Sequence, residues 1–364
     1  MVDTLACLST PDGWLGSDNQ SGIHPKVLES LSSANRGPAV AYGEDTLTHQ
    51  AIEAFRDNFG GDTTVLFTWN GTGANVTALA SLLPRWGGVL AAGGAHIDVD
   101  EGGAPEAFLG AKITTIHTPD AKLRPEHIDE AMIGAFDQHH VWPQVVSITQ
   151  STELGTLYSV EEVANICDTA HRYGLLVHMD GARIANATAS LGVSLRAHTF
   201  EVGIDALSFG GTKNGMAYGE AVLLRRPEHA RIGTMVRKQS TQLASKMRFI
   251  SAQFIAMFQD DLWLSCALHA NAMATRLHNA VADCPGVVLE RPTVVNSLFP
   301  RIPAHAIDPL QRWCPHYTWN AGLNQVRWVT SFDTTETDVD RFAEGVRAIC
   351  ATNADPNCDG NARV

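Results

Sequence analysis

The loop that contains Lys213 has the residue types and spacing best suited to chemistry. The mostly apolar run 205–209 predicts a buried strand, and it leads directly into Gly210, Gly211, Thr212 and Lys213. An ammonium group at the end of a buried strand is partly desolvated, which favours the neutral amine that attacks a carbonyl. A lysine at a solvated turn is the competing interpretation, and this loop alone does not decide between the two.

A second candidate residue, Asp180, follows the predicted strand 174–179 and opens the motif D-G-A-R. A carboxylate at the end of a buried strand needs a cationic partner to stay ionised. An aspartate that caps the following turn is a common structural alternative. The interval between Asp180 and Lys213 leaves room for one helix and the next strand.

Together, the lysine and the aspartate indicate a binding site for pyridoxal 5'-phosphate. The aldehyde of this cofactor would form a Schiff base with Lys213. Its protonated pyridine nitrogen would pair with Asp180, which keeps the ring an electron sink. The two motifs in this order favour a cofactor site over two separate structural roles.

A glycine-rich turn upstream is suited to the phosphate of the cofactor. A predicted strand over 64–69 leads through the turn 70–73 into a helix. The N-terminus of a helix presents free N–H groups and a positive dipole end to an anion. No Lys-Ser/Thr pair follows the glycines, so the turn is not a nucleotide P-loop. We predict a phosphate cradle formed by Gly71, Thr72 and Gly73.

In this order, the motifs resemble those of the threonine aldolases, which are fold-type-I pyridoxal phosphate enzymes related to aspartate aminotransferase. D-G-A-R at 180–183, S-F-G-G-T-K-N-G at 208–215 and Y-G-E-D at 42–45 carry the resemblance, which covers nearly the whole chain. It implies a large domain with a mostly parallel, seven-stranded sheet flanked by helices, and a small α+β C-terminal domain. The alternation of predicted strands and helices independently favours the α/β class.

The resemblance also implies roles for five further residues. His96 occupies the family's A-H position and would stack on the pyridine ring, where an imidazole could also relay a proton. Arg183 would contact the cofactor and, with Ser17 and Arg327, the carboxylate of the substrate. Arg248 would reach the cofactor phosphate from a neighbouring chain.

The context of Arg327 supports its implied role. It lies inside the apolar run 325–330, which predicts a strand. An arginine in such a strand is costly unless it is paired, and a carboxylate bound in bidentate fashion would pair it.

Several groups are candidates for the base that takes the β-hydroxyl proton of the substrate. The family has a histidine near this hydroxyl, and the sequence does not decide whether His139 or His140 occupies that position. We rank His96 first, one of this pair second and an ordered water third. No ligand cluster with zinc-type spacing accompanies the pair, so we predict no metal site.

The implied reaction is retro-aldol cleavage of a β-hydroxy-α-amino acid to glycine and an aldehyde. L-Threonine, L-allo-threonine and L-phenylserine are candidate substrates, and the sequence does not select among them. A β-eliminating lyase or an aminotransferase is the enzymatic alternative, because both use the same lysine and aspartate. A catalytically silent protein that binds pyridoxal phosphate is the alternative from another class.

The composition of the chain limits the cellular location and the binding partners that we expect for the protein. The formal net charge of −13 argues against binding to nucleic acid or to an anionic membrane, because both are polyanions. The seven cysteines include no C-x-x-C pair, which favours reduced thiols in a cytoplasmic protein. No signal peptide or transmembrane run is evident. The resemblance implies a homo-oligomer, a dimer or a homotetramer, with shared active sites.

The predicted domain organisation has four parts. We expect an N-terminal arm over 1–24, a large cofactor-binding domain over 25–250, connecting helices with a small domain over 251–352, and a disordered tail over 353–364. Predicted helices include 25–34, 46–59, 125–136 and 336–350, and the predicted strands of the small domain include 287–289 and 296–299.

Overall fold

The computed structural model describes residues 5–352, so the predicted tail over 353–364 and the start of the predicted arm lie outside the described residues. The helices are α1 (Pro25–Ala34), α2 (Thr46–Phe59), α3 (Gly71–Leu82), α4 (His96–Val99), α5 (Ala104–Leu109), α6 (Pro125–Ala131), α7 (Val160–Arg172), α8 (Ile184–Leu191), α9 (Pro227–Gln239), α10 (Arg248–Phe258), α11 (Leu262–Val281), α12 (Ala304–Trp313) and α13 (Glu336–Cys350). The strands are β1 (Thr64–Thr68), β2 (Gly87–Ala92), β3 (Lys112–Ile116), β4 (Trp142–Thr149), β5 (Leu176–Gly181), β6 (Ala206–Gly210), β7 (Glu220–Leu224), β8 (Ser297–Leu298), β9 (Tyr317–Asn320) and β10 (Gln325–Val329). None of the helices in this part of the chain is long and apolar enough to cross a membrane.

Seven strands form one sheet in the order β1-β7-β6-β5-β4-β2-β3. All of them run parallel except β7, which is antiparallel to β1 and to β6. The carboxyl ends of the parallel strands and the first residue of β7 therefore lie along one edge, which we call the carboxyl edge. Its residues are Thr68, Ala92, Ile116, Thr149, Gly181, Gly210 and Glu220. The predicted mostly parallel, seven-stranded α/β fold is confirmed.

Helix α3 is the most enclosed helix next to this sheet. Ten of its twelve residues are buried, and it packs against β6, β7, α5 and α9. A helix that is apolar on all sides is stable only when it is covered on all sides. The core around it combines α3 with three strands through Leu66, Ala74, Ala78, Leu79, Val89 and Val222.

The described chain divides into two compact units. One unit is Gly22–Leu268, which contains the seven-stranded sheet and also α10, because α10 packs against α1 and α2. The other unit combines the chain up to Ser21 with the chain from His269 onward. It contains the antiparallel sheet β8-β10-β9 and a core that includes Trp328 and Phe342. The two units divide the chain after Ser21 and after Leu268, whereas the predicted boundaries follow residues 24 and 250.

Most predicted elements match the structure, and the exceptions have local causes. The helices predicted over 25–34, 46–59 and 336–350 have the predicted bounds. The helix predicted over 125–136 ends at Ala131, shortly before Gly134, whose φ of 70° is left-handed.

The strand predicted over 287–289 is wrong. Val288 makes an isolated bridge to Arg301 instead. Pro300 and Pro303 flank that partner and lack the N–H groups that a longer ladder needs. The strand predicted over 296–299 is confirmed in its shorter form, β8.

Candidate active site

The structure brings Asp180 and the lysine loop to neighbouring positions on the carboxyl edge. Asp180 lies on β5 opposite Ser208 of β6. Lys213 follows β6 within the short 3-10 turn Thr212–Asn214, and Gly215 leaves that turn with a φ of 104°. The side chain of Asp180 is buried and Lys213 is half-buried.

Two hydrogen bonds orient the carboxylate of Asp180. The backbone N–H of Ala182 donates to Oδ1 at 3.0 Å, and Nδ2 of Asn75 donates to Oδ2 at 2.9 Å. The same Nδ2 also donates to Oε1 of Glu101 at 2.7 Å. One neutral amide group on α3 therefore holds two buried carboxylates in place.

Sequence reasoning missed Asn75 and Glu101. An asparagine inside a wholly buried helix must find hydrogen-bond partners for its amide, and this requirement was the available signal. The partners of the Asn75 amide are distant in sequence, so the sequence alone does not identify them.

His96 stands beside these carboxylates at the start of α4. Its backbone N–H donates to Oε1 of Glu153 at 2.9 Å, and its Nδ1 lies 2.8 Å from Oε1 of Glu101, whose side chain has no exposed surface. The hydrogen bond to Glu101 raises the pKa of His96, and the charges of Asp180 and Glu101 raise it further, against burial and the charge of Lys213. His96, Asp180 and Lys213 thus share one electrostatic environment. Because Nδ1 is bonded to Glu101, Nε2 is the atom of His96 that can exchange a proton with a ligand.

The Glu101–His96 pair leads to a testable prediction. We expect Glu101→Gln to lower the pKa of His96, because the amide no longer supplies a charge that stabilises the imidazolium. If neutral His96 is the base, the acid limb of the pH profile of kcat/KM moves to lower pH and activity falls about tenfold. An NMR pH titration of the His96 imidazole measures this change directly.

The matched control for this prediction is Asp98→Asn. Asp98 is an exposed carboxylate on the same short helix as His96. Its removal takes away one nearby negative charge and leaves the hydrogen bond to Glu101 in place. An equal titration of His96 in wild type and Glu101→Gln contradicts the prediction.

A helix N-terminus forms the next part of the site. Asn70 caps α3 by accepting the backbone N–H of Gly73 at 2.8 Å. The first N–H groups of an α-helix have no partner within that helix, so those of Gly71 and Thr72 are suited to an anion. A side chain at position 71 would meet nothing within 4 Å, whereas one at position 73 would overlap Gln242.

Arg183 and Arg248 lie in the same unit. Arg183 is the half-buried N-cap residue of α8, two positions after the end of β5. Arg248 begins α10, with its guanidinium 5.0 Å from the ring of Phe249. Within the described residues, Nε of Arg248 is buried and has no hydrogen-bond partner.

Ser17 and Arg327 are brought together in the other unit. Nη2 of Arg327 donates to the carbonyl oxygen of Gly16 at 3.3 Å, directly before Ser17. The guanidinium lies 5.2 Å from the ring of Tyr317 and 5.5 Å from that of Trp319, which fixes its plane. Ser17 is buried, and its Oγ accepts the backbone N–H of Asn19 at 3.2 Å.

The structure does not bring His139 or His140 to the carboxyl edge of their own chain. Both are exposed, and they precede Trp142, the first residue of β4. From Trp142, the strand runs about 23 Å before it reaches Thr149 at that edge. In a site that a single chain builds, His139 and His140 are therefore not candidate bases beside His96, which corrects their predicted ranking. The described residues contain no group of three or more His, Cys, Asp or Glu that could hold a metal ion.

The donor set at the carboxyl edge fits pyridoxal phosphate. Lys213 has an amine that could bind the aldehyde, and Asp180 has a buried carboxylate that could pair with the pyridine nitrogen. The N-terminus of α3 offers N–H groups beside open space at Gly71 for the phosphate. With this sheet order, these groups define a fold-type-I pyridoxal phosphate enzyme.

The chain belongs to the threonine aldolases of the beta-eliminating lyase family, which residues 15–302 match. It is 42% identical to a low specificity L-threonine aldolase of Pseudomonas sp. over 92% of this chain and 96% of the relative. It is 43% identical to the enzyme of the same name from Pseudomonas aeruginosa, again over 92% and 96% of the two chains. A solved structure of the Leishmania major threonine aldolase superimposes with a TM-score of 0.87 at 30% identity, over 92% of this chain and 99% of that one.

Proposed function

We propose that this protein is a pyridoxal-phosphate-dependent aldolase that cleaves L-threonine, L-allo-threonine or related β-hydroxy-α-amino acids, L-phenylserine included, to glycine and an aldehyde. The observation that carries the proposal is the shared environment of Asp180, Lys213 and His96 at the carboxyl edge. The names of the Pseudomonas relatives support the choice of L-threonine.

Each group at this edge has a defined part in binding the cofactor. Lys213 would hold the aldehyde carbon, Asp180 would hold the pyridine nitrogen in its protonated form, and the N-terminus of α3 would hold the phosphate. When bound, pyridoxal phosphate supplies an electron sink for the bond that breaks. His96, which lies beside Glu101, and Arg183, which follows Asp180 in the sequence, would contact the cofactor.

His96 moves the proton of the reaction. Its Nε2 takes the proton of the β-hydroxyl while the Cα–Cβ bond breaks, so the β-carbon leaves as an aldehyde. Glu101, bonded to Nδ1 at 2.8 Å, stabilises the imidazolium that forms. The Cα then gains one proton, which balances the proton lost from the β-hydroxyl, and leaves as part of glycine.

Arg327 and Ser17 bind the α-carboxylate of the substrate in this proposal. We expect Arg327→Ala to raise KM for L-threonine about a hundredfold with a smaller change in kcat, because a paired carboxylate loses a charge-assisted, bidentate partner. Arg327→Lys keeps the charge but loses the planar fork, so it recovers only part of the affinity. Steady-state kinetics of aldehyde release measure both constants.

The matched control for Arg327→Ala is Arg276→Ala. Arg276 is another arginine of the same unit, and it pairs with Glu336 and Asp340. We expect its KM to stay at the wild-type value. An unchanged KM in Arg327→Ala contradicts the assignment of the carboxylate site.

Product analysis tests the reaction itself. Cofactor-loaded protein is incubated with L-threonine, L-allo-threonine and L-phenylserine, and aldehyde and glycine are quantified in the same samples. Equimolar aldehyde and glycine support the aldolase and rank the three substrates. β-Elimination is the second candidate, because the matched family is described as beta-eliminating lyases. Pyruvate and ammonia from L-serine, without glycine, would favour that reaction instead.

We also propose that the protein works as a cytoplasmic homo-oligomer, a dimer or tetramer with shared active sites. The buried Nε of Arg248, which lacks a partner among residues 5–352, supports a role for this arginine toward the phosphate bound by a neighbouring chain. The cysteines of the described chain are free thiols, which supports a reducing compartment. Light scattering of Arg248→Ala and wild type, with cofactor titrations of both, tests the shared site.

A further inference from the structure

Glu220 is a buried carboxylate at the carboxyl edge to which the mechanism above gives no role. It is the first residue of β7, and the antiparallel direction of β7 is what brings it to this edge. In register, it lies opposite Thr68 of β1 on one side and Gly210 of β6 on the other. It is 7% exposed, so its carboxylate must be stabilised by protein groups.

The partners of Glu220 come from the lysine loop. Its Oε2 accepts the backbone N–H of Gly211 at 2.6 Å. The hydroxyl and the backbone N–H of Thr212 also favour the ionised form of this carboxylate. Polar groups of the two residues before Lys213 thus act on one anion, and the bond from Gly211 holds the backbone from which the lysine side chain extends.

Charged and neutral groups both lie near Glu220. The charge of Lys213 acts on the carboxylate. Thr68 and Gly210, its neighbours in the sheet, do not titrate, and Arg237 of α9 donates to the carbonyl oxygen of Phe67. Lys213 and Asp180 also act on the charge of His96.

Burial raises the pKa of Glu220 to about 7, against its hydrogen bonds to Thr212 and Gly211 and the charge of Lys213. The carboxylate therefore changes its charge within the neutral pH range. An anion beside a protonated nitrogen stabilises the proton on that nitrogen.

We propose that Glu220 is a positioning residue for Lys213: it fixes the lysine loop and, through its own ionisation, sets the pH range over which the linkage between Lys213 and the cofactor stays protonated. The inference rests on the proposed role of Lys213 as the residue that holds the cofactor. It goes beyond that role because it assigns the control of this linkage to a carboxylate on another strand.

The test uses the cofactor-loaded protein and its visible absorbance between about pH 6 and about pH 9. We expect Glu220→Gln to keep the band and to move the midpoint of its pH-dependent change down by about one pH unit, because the stabilising anion is gone. Glu220→Asp keeps the charge with a shorter reach and restores most of the midpoint. The control is Glu228→Gln, an exposed carboxylate shortly after the other end of β7, which leaves the midpoint unchanged.

Thr212→Val covers the case in which Glu220→Gln does not fold. It removes one donor and leaves the charge, so the midpoint moves in the same direction by a smaller amount. A midpoint equal to wild type in Glu220→Gln, or in Thr212→Val where it is the variant that folds, overturns the inference. Wild-type protein without a cofactor band, or Lys213→Ala with one, overturns the proposed function instead, so the two failures are distinguishable.

Discussion

Lys213→Ala is expected to abolish the visible absorbance of the cofactor-loaded protein and to lower aldehyde release from L-threonine at least about a thousandfold. Lys213 is the lysine that the structure places at the carboxyl edge beside β6, within the field of His96. Alanine removes the amine that holds the cofactor aldehyde and leaves the loop backbone in place. Absorbance after gel filtration and a product assay measure the two effects.

Lys213→Arg is the matched variant for this experiment. It keeps a positive charge at the same position, but a guanidinium that stays protonated cannot attack a carbonyl. Loss of the band in both variants assigns the effect to the amine and not to the charge. If the visible absorbance band persists in Lys213→Ala after free cofactor is removed, Lys213 is not the residue that holds the cofactor.

Asp180→Asn is expected to lower kcat/KM about a hundredfold to a thousandfold and to weaken cofactor binding. A buried charge pair that loses one partner costs several kcal/mol, because the other charge stays desolvated. The amide also cannot replace both carboxylate oxygens, since each of them accepts an N–H, from Ala182 and from Asn75. Kinetics and a cofactor titration of the apoprotein measure the two effects.

The matched control for Asp180→Asn is Asp205→Asn. Asp205 is also fully buried, but it precedes β6 at the opposite edge and accepts hydrogen bonds from Val177 and His171. This substitution is expected to lower the thermal stability and to leave the cofactor spectrum unchanged. Asp180→Asn with wild-type kcat/KM and wild-type cofactor affinity would contradict the assigned role.

The sequence predicts those elements whose ends carry their own signals. Helix α2 has the predicted bounds because Asp45 accepts the backbone N–H of Thr48 at 2.9 Å and Gly60 ends the helix with a φ of 117°. The short strand β8 has weaker signals, because its pairing depends on partners that are distant in sequence. Local chemistry therefore predicts helix ends better than strand ends.

The candidate site divides in the same way. Lys213 and Asp180 are evident from the sequence because each ends an apolar strand. Glu220 is not evident from the sequence, because a short apolar run does not indicate the direction of its strand. Only the antiparallel pairing of β7 decides at which edge of the sheet the strand begins. Asn75 and Glu101 depend on contacts across 26 and 105 residues of sequence, which no local pattern contains.

The sequence could not place His139 and His140 for a related reason. The resemblance indicates a histidine near this part of the chain, but the position along β4 decides which edge a residue reaches. Both precede the strand, whereas Thr149 at its other end lies opposite Asp180.

The enclosure of α3 has a consequence for how this enzyme can be altered. One end of the helix is the proposed phosphate site, and one turn later Asn75 donates hydrogen bonds to both Asp180 and Glu101. Any displacement of α3 would therefore move the proposed phosphate site and the partner of Asp180 together. Mutations under its far end, around Leu79 and Leu82, should therefore damage cofactor retention from a distance. Directed evolution of substrate range has more freedom in the exposed loops than beneath this helix.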